Sequence, residues 1–553
     1  MALTKRSFVS RWLISALAAV LVLSLAGRLA TAQVPAIEGN KAERLEWFRD
    51  LGFGLFIHWS LDSQIGSVIS HSLVGASPNY VERFFTQLPL TFNPSKFDPD
   101  EWAVLSKLAG FKYVVFTAKH HSGFCMYNTG TTDFSIMNTP YGKDLTAQLV
   151  RAYRDQGIAI GFYHSPDDFH FLHKRGKTIA RRQPGVTPQE IPALMKYDQE
   201  QIRELMTQYG KVDMMFLDGP PEGLSQTCWA IDPDVVVTRG GMETPEQYTP
   251  GVPLQGAWEG NLTMGTQWQY KPTNDDYKSG GQLIKTLIET RAKGGNLLLN
   301  IGPKPNGELP IEQEERLREM ALWMFINSEA IYEVRPWVVT NEGDVWFTKR
   351  KDENTVYAIV TGGDWPWGEK KSISLKSVGA SAQTKVSILG QSDQVLEYRP
   401  EVDPKTTWRG EGRGIAISAY RAQRIYNDRR WPNPVVLKIT NAEVGMEPPA
   451  VMTHGADLGP GAKTATLRAE LKALGKVDSV EVGFQYRRRK TSAEMYEADF
   501  PWVDTKMVSK TSPGAYSAQA KGLEPGRPYE YRAVVKHPLI TLFGISQPLG
   551  DAE

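Results

Sequence analysis

Cysteine is nearly absent. Among 553 residues there are two, Cys125 and Cys228. Two cysteines cannot build a disulfide framework or a cysteine-rich zinc site, and their spacing does not say whether they pair. An excess of one charge is missing as well. The 63 basic and 62 acidic side chains leave a net charge of +1, with no long block of one sign. That excludes the basic face of a nucleic-acid binder and an acidic tail. The short cluster Arg487-Arg488-Arg489-Lys490 follows an alternating segment and reads as a solvated strand end. There is no G-x-S-x-G elbow, no H-E-x-x-H helix, no H-x-H after the first strand and no G-K-[ST] loop after a strand. Serine hydrolases, the common zinc hydrolases and nucleotide binders lose their usual signatures with them.

Long apolar runs are scarce too. The clear one, Trp12 to Ala26, follows Lys5, Arg6 and Arg11 and precedes Ala30-Thr31-Ala32. Basic start, apolar core and small-residue cleavage site make a secretory signal. The run is short for a membrane span, which takes about 20 apolar residues. Residues 1–32 are therefore expected to be removed, leaving a protein that is secreted or periplasmic and not held in a membrane.

What is present is alternation. Between about residues 44 and 335, strand-length apolar runs alternate with amphipathic helical segments. The runs are Gly54–Trp59, Lys112–Thr117, Ile158–Tyr163, Val212–Leu217, Val235–Thr238 and Asn296–Ile301. Helical segments cover Trp102–Ala109, Asp144–Gln156, Ile191–Tyr209, Gln282–Ala292 and Glu312–Ser328. Strands apolar on both faces, each followed by a helix, predict a parallel sheet wrapped in helices. Nearly 300 residues of this pattern fit an α/β fold of the (β/α)8-like TIM barrel type over 33–338. After about residue 340 the helical periodicity stops and short strands follow, predicting a β-sandwich over 339–428. A Pro- and Asn-containing break at 427–434 reads as a linker to a further β domain over 432–553. Its Leu523-Glu524-Pro525-Gly526-Arg527-Pro528-Tyr529 segment resembles a late turn of fibronectin type III domains.

Seven of the nine histidines lie between residues 58 and 173. His58, the pair His120-His121, and His164 stand at the ends of three successive strands. In a parallel barrel those ends open on one face, where active sites are built. Carboxylates follow the same rule. Asp218 ends the fourth strand, Glu259 is read as ending the short run Pro253–Trp258, and Glu243 and Glu246 lie in the loop after the fifth strand. Two carboxyl groups across a sugar-sized pocket suit glycoside hydrolysis, one attacking the anomeric carbon and the other protonating the leaving oxygen. Trp59, Tyr163, Phe216, Trp258, Trp268 and Tyr270 stand beside these positions, and flat rings suit the apolar face of a deoxy sugar.

At these residues the sequence resembles glycoside hydrolase family 29, the α-L-fucosidases. The blocks are Trp47 to Trp59, Ala118-Lys119-His120-His121-Ser122-Gly123-Phe124, Thr244-Pro245-Glu246-Gln247, Trp258 to Tyr270, and Lys293 to Pro303. The resemblance implies retaining exo-hydrolysis of terminal α-L-fucose from a fucosylated glycan, with no cofactor and no metal. It implies Asp218 as nucleophile and Glu259 as acid/base, with Glu246 and Glu243 as reserves. Sugar contacts are expected from His58, Trp59, His120, His121, Tyr163, His164, Phe216, Glu246, Trp258 and Trp268. Ser122 stands where the family usually has Asp, Phe216 where many members have Trp, and the segment 70–76 lacks a common W-Y pair. These departures keep an alternative open: a non-catalytic or altered-specificity binder of a fucose-like sugar on the same barrel.

Overall fold

A strand flanked by strands on both edges and covered on both faces must be apolar throughout, and Phe53–Ile57 meets that condition with every residue buried. This strand, β1, pairs in parallel with β2 (Tyr113–Lys119) and with β7 (Asn296–Ile301). Around them run β3 (Ala159–His164), β4 (Met214–Leu217), β5 (Val236–Val237) and β6 (Glu259–Thr263), in the order β5-β4-β3-β2-β1-β7-β6. The structure is a computed structural model and describes residues 39–489 and 500–549. The expected signal segment 1–32 lies outside the described residues, as does Lys490 of the basic cluster.

The seven-stranded sheet curls into the (β/α)8-like barrel the alternation predicts. Between β5 and β6 no full strand intervenes. The segment 239–247 closes the gap through single bridges, Glu243 to Trp258 and Glu246 to Asn261. Its hydrogen bonds include Asn261 N donating to Pro245 O at 2.8 Å and Gln247 N donating to Asn261 O at 2.8 Å. Arg239 O accepts from Leu217 N at 3.1 Å on the other side. This irregular stave carries Arg239 and Glu246.

Helices begin where capping chemistry directs. Asp98 accepts from Glu101 N ahead of Pro99–Ala109, and Asp144 accepts from Ala147 N ahead of Leu145–Asp155. Ser279 and Gln282 form a capping box at the start of Gly280–Ala292. Each satisfies amide groups that a helix start leaves unpaired.

Beyond the barrel a five-stranded sheet packs on a three-stranded one. Their shared core includes Phe347, Val356, Ile373, Leu375, Ile415, Leu437 and Ile439. This sandwich does not stop near 428. Strand Val435–Val444 lies inside the larger sheet, paired with both Val356–Val360 and Val378–Ile388. The prolines at 432 and 434 precede a central strand instead of separating two domains, so the expected linker is internal to the sandwich. The remaining strands form two sheets, one holding Thr464–Ala473 and Gly514–Lys521, the other Val480–Arg488 and Tyr529–Lys536. Cys125 and Cys228 are both buried and unpaired.

One close approach inside the barrel fixes a residue type. A methyl group at Gly54 would come within 2.2 Å of the Tyr113 ring on the neighbouring strand. Gly54→Ala is expected to cost about 1–3 kcal/mol through overpacking and to lower the thermal midpoint by several degrees. An unchanged midpoint would show that Tyr113 has room to move.

Candidate active site

Five of the seven barrel strands hand polar residues to the same end. His58 follows β1, His120 and His121 follow β2, His164 closes β3, Asp218 follows β4, and Arg239 stands two residues past β5. A cavity of about 260 Å3 opens there. It is lined by His58, His71, His120, His121, Tyr163, Arg181, Arg182, Phe216, Asp218, Arg239, Glu246, Asn261 and Trp268, with Phe56 and Ile69 in its apolar wall.

Asp218 is the centre of this arrangement. Tyr163 Oη donates to its Oδ2 at 2.8 Å, and His121 Nε2 lies 3.3 Å from the same oxygen. On the Oδ1 side Arg239 Nη1 approaches to 3.2 Å and Arg181 Nη2 to 3.4 Å. Burial alone would push the carboxyl upward. The hydrogen bond with His121, and then the charges of Arg239 and Arg181, outweigh it and hold Asp218 well below the usual carboxylate range. It is an ionised carboxylate at neutral pH.

Glu246 shares that environment. Arg239 Nη2 meets its Oε2 at 2.9 Å while Nη1 meets Asp218. One planar guanidinium thus grips both carboxylates by its two arms. The two acids stand within the span of a single side-chain fork, on the same pocket. Glu246 is 40% exposed at its side chain against 12% for Asp218, so one acid faces solvent and the other does not.

The histidines are held as neutral donors and acceptors. Burial, the largest influence, lowers His58 to about 3, His121 to about 3 and His120 well below its usual value. Burial lowers His71 as well. Asn300 gives its amide to Trp268 O at 2.5 Å, so its Oδ1 is the acceptor for His58 Nδ1 at 2.6 Å. That leaves His58 Nε2 free to accept from a ligand hydroxyl. His120 Nδ1 pairs with Ser70 Oγ at 2.9 Å, and the His120 ring stacks on Tyr163 at 5.1 Å and 2°. Ser70 adopts φ +59°, a region few non-glycine residues occupy. Its amide donates to the buried Asp62 carboxylate at 2.7 Å, which secures the turn and places His71 beside the pocket.

Five expected site residues lie elsewhere. Glu259 does not end a strand. It begins β6 and is fully buried at the opposite end of the barrel, where Tyr113 Oη donates to it at 2.7 Å. Side chains two apart on a strand share a face but differ in level by about 6.6 Å. Asn261, two residues on, is the one that reaches the cavity. Trp258, just before Glu259, packs under the barrel against Gly295. Trp59 packs among Phe92, Phe97 and Trp102. His164 sits behind the pocket wall, 3.3 Å from Asp198, which also pairs with Lys119 at 2.9 Å. Glu243 lines no part of the cavity; its carbonyl accepts from Glu259 N.

Sequence reasoning also missed residues. Arg239 obeys the strand-end rule that found the histidines and was within its reach. Arg181 and Arg182 sit in the long segment after helix Phe169–Lys174, where no periodic signal operates. His120, His121 and Asp218 are close enough to share a cation. A metal there would face two guanidinia already paired with the same carboxylate, which makes the triplet a poor cation site.

A larger cavity of about 1060 Å3 lies where the barrel meets both β domains, lined in part by Lys293, Trp337, Trp346 and Arg532. Its carboxylates are committed: Glu289 pairs with Lys293 at 2.5 Å, and Glu342 accepts from the amides of Lys376 and Ser377. Size does not make it the reactive site; the strand-end cavity holds the chemistry.

The family model for α-L-fucosidase matches residues 28–329, and that for the α-L-fucosidase C-terminal domain matches 339–408. The chain belongs to the α-L-fucosidase family. It is 30% identical over 403 residues to the plasma α-L-fucosidase of Homo sapiens, covering 65% of this chain and 85% of that one. To the α-L-fucosidase of Dictyostelium discoideum it is 28% identical over 361 residues, covering 57% and 77%. Among solved structures, the Thermotoga maritima α-fucosidase in complex with a mechanism based inhibitor has TM-score 0.57 and 27% identity, covering 72% of this chain and 96% of that one. The α-L-fucosidase isoenzyme 1 from Paenibacillus thiaminolyticus, at TM-score 0.60 and 24% identity over 72% and 99%, shares the fold.

The position of Glu259 leads to a measurable consequence for this family member. Burial raises its pKa to about 7 from 4.5. A carboxyl whose folded pKa is the higher one keeps its proton natively after the unfolded chain has released it. Stability therefore falls as pH rises from about 4.5 to about 7 and levels off beyond. The difference amounts to about 3 kcal/mol. Glu259→Gln is expected to flatten that part of a urea-denaturation pH profile. An identical slope in both proteins would place the titration elsewhere.

Proposed function

We propose that the protein is a retaining, exo-acting α-L-fucosidase in which Asp218 is the nucleophile and Glu246 the acid/base. The observation that carries this reading is the shared grip of Arg239 on both carboxylates at the mouth-side end of the barrel. Asp218 attacks the anomeric carbon as the glycosidic oxygen leaves with the proton of Glu246. Glu246 then takes a proton from water, which attacks the same carbon and frees Asp218. Atoms balance over the two steps, and the anomeric configuration is restored.

The neutral histidines and Trp268 provide donors, acceptors and a flat wall for one sugar ring, and a cavity of this size supports removal of a single terminal residue. Tyr163 and His121 hold the nucleophile in line. The expected signal over 1–32 supports export to the periplasm or the exterior. Among the described residues no helix is long and apolar enough to cross a membrane.

Variants at the two acids separate their roles. Asp218→Gly should lower turnover of an aryl α-L-fucoside at least about a thousandfold, and added azide should yield fucosyl azide of inverted configuration. Glu246→Ala should hurt substrates with poor leaving groups by about 100- to 10,000-fold and spare activated aryl fucosides at the first step. Azide should then return product of retained configuration. Full activity of Glu246→Ala on an unactivated disaccharide would reject its assignment, and fucose binding without turnover by the native protein would favour the non-catalytic alternative.

A further inference from the structure

Three guanidinia line the pocket, and two of them are fully engaged. Arg239 bridges Asp218 and Glu246 and also donates to Thr244. Arg181 pairs with Asp167 at 2.7 Å, reaches Asp218 Oδ1 at 3.4 Å and donates to the Asp218 carbonyl at 3.2 Å. Arg182 differs. Its one ion pair among the described residues is a 3.9 Å approach to Asp218 Oδ1, and its side chain is 66% exposed. It lies on the solvent side of the nucleophile, with its backbone at φ +52°.

The pairing around the reacting carbon leaves this residue the least compensated of the three. Arg181, Arg182 and Arg239 face Asp218 and Glu246, while His58, His71, His120 and His121 all have their pKa values lowered by burial. Asp167 answers Arg181, and Glu246 and Asp218 answer Arg239, so Arg182 is the one of the three with no carboxylate nearer than 3.9 Å among the described residues. Glycoside cleavage passes through an oxocarbenium-like state that is itself positive. A loosely held guanidinium beside the nucleophile opposes that charge, unless the substrate brings an anion to meet it.

We propose that the preferred substrate is a fucosyl glycan bearing an anionic group, a sulfate ester or a carboxylate, next to the scissile bond, and that Arg182 receives this group. The proposal rests on the fucosidase reading above. A planar guanidinium pairs with either oxyanion through two parallel hydrogen bonds. When the sugar enters, Arg182 leaves Asp218 for the substituent, so the nucleophile is freed as the anion is neutralised. Because Arg182 is largely exposed, the gain is modest and sensitive to salt.

Three matched substrates test this with the full chain: a fucosyl-galactoside, its sulfate ester on the galactose, and the corresponding fucosyl-galacturonide. At low ionic strength kcat/KM for at least one anionic substrate should exceed that of the neutral one by about tenfold. The ratio should shrink in about 0.5 M salt. Which of the two anionic substrates is favoured separates sulfate from carboxylate. Arg182→Gln should bring the anionic-to-neutral ratio to about one, and Arg182→Lys should keep part of it. A ratio of one or less for both anionic substrates in the native protein overturns the proposal, as does a preference that survives Arg182→Gln. If none of the three is cleaved, the fucosidase reading itself fails. Calorimetric binding of the same three glycans then reads the anionic preference on its own, equal affinities overturning it.

Discussion

A buried carboxylate has to stay ionised, and much of the pocket is arranged around that requirement. Asp218 sits 8% exposed at the end of β4, where desolvation favours the neutral acid. Tyr163, His121, Arg239 and Arg181 supply the donors and charges that reverse the preference. Their own positions depend on the fold. Tyr163 lies in β3, and His121 follows the parallel strand β2 that pairs with it. Arg239 comes from the irregular stave that closes the barrel. A regular strand over 239–247 would not have brought both Arg239 and Glu246 to the mouth.

The barrel was readable because its strands are buried on both faces and its helices carry clear caps and stops. The sequence run 296–301 and strand β7 coincide, and the ends of β1 to β5 lie within two residues of the predicted runs. The strand-end rule located His58, His120, His121 and Asp218 because it depends only on where an apolar run stops. It misplaced Glu259 for the same reason. The run Pro253–Trp258 is not a strand, and the real one starts at Glu259, so a one-element error in register moved the acid from mouth to floor. Trp59 and Trp258 show a second limit. Aromatic residues next to a strand end serve the core as readily as the site, and only packing distinguishes the two. Arg181 and Arg182 were illegible because they come from a long irregular segment, where neither period nor cap says which way a side chain points.

The resemblance to the α-L-fucosidases and the physical reading agree on the fold and on the reaction class, and they part at the second acid. Family blocks pointed to the W-E pair, whereas the geometry favours Glu246 in the T-P-E loop. The two readings can be reconciled in physical terms. Trp258 and Glu259 pack beneath the barrel, Tyr113 ties Glu259 to the floor, and their backbone pairs with the very stave that carries Glu246. The W-E block then supports the acid/base from below without touching substrate. At the far end of the chain, the sandwich absorbs residues 435–444 into its central sheet, which joins the second β domain directly to it.

The central claim is that Asp218 forms the covalent bond to the sugar. Incubation with 2-deoxy-2-fluoro-fucosyl fluoride slows the second step and leaves the sugar on the nucleophile, and peptide mass mapping then locates it. The account predicts a single fluorofucosyl adduct on the peptide containing Asp218. An adduct on Glu246 or Glu259, or steady turnover of fucosides with no adduct at all, would contradict it.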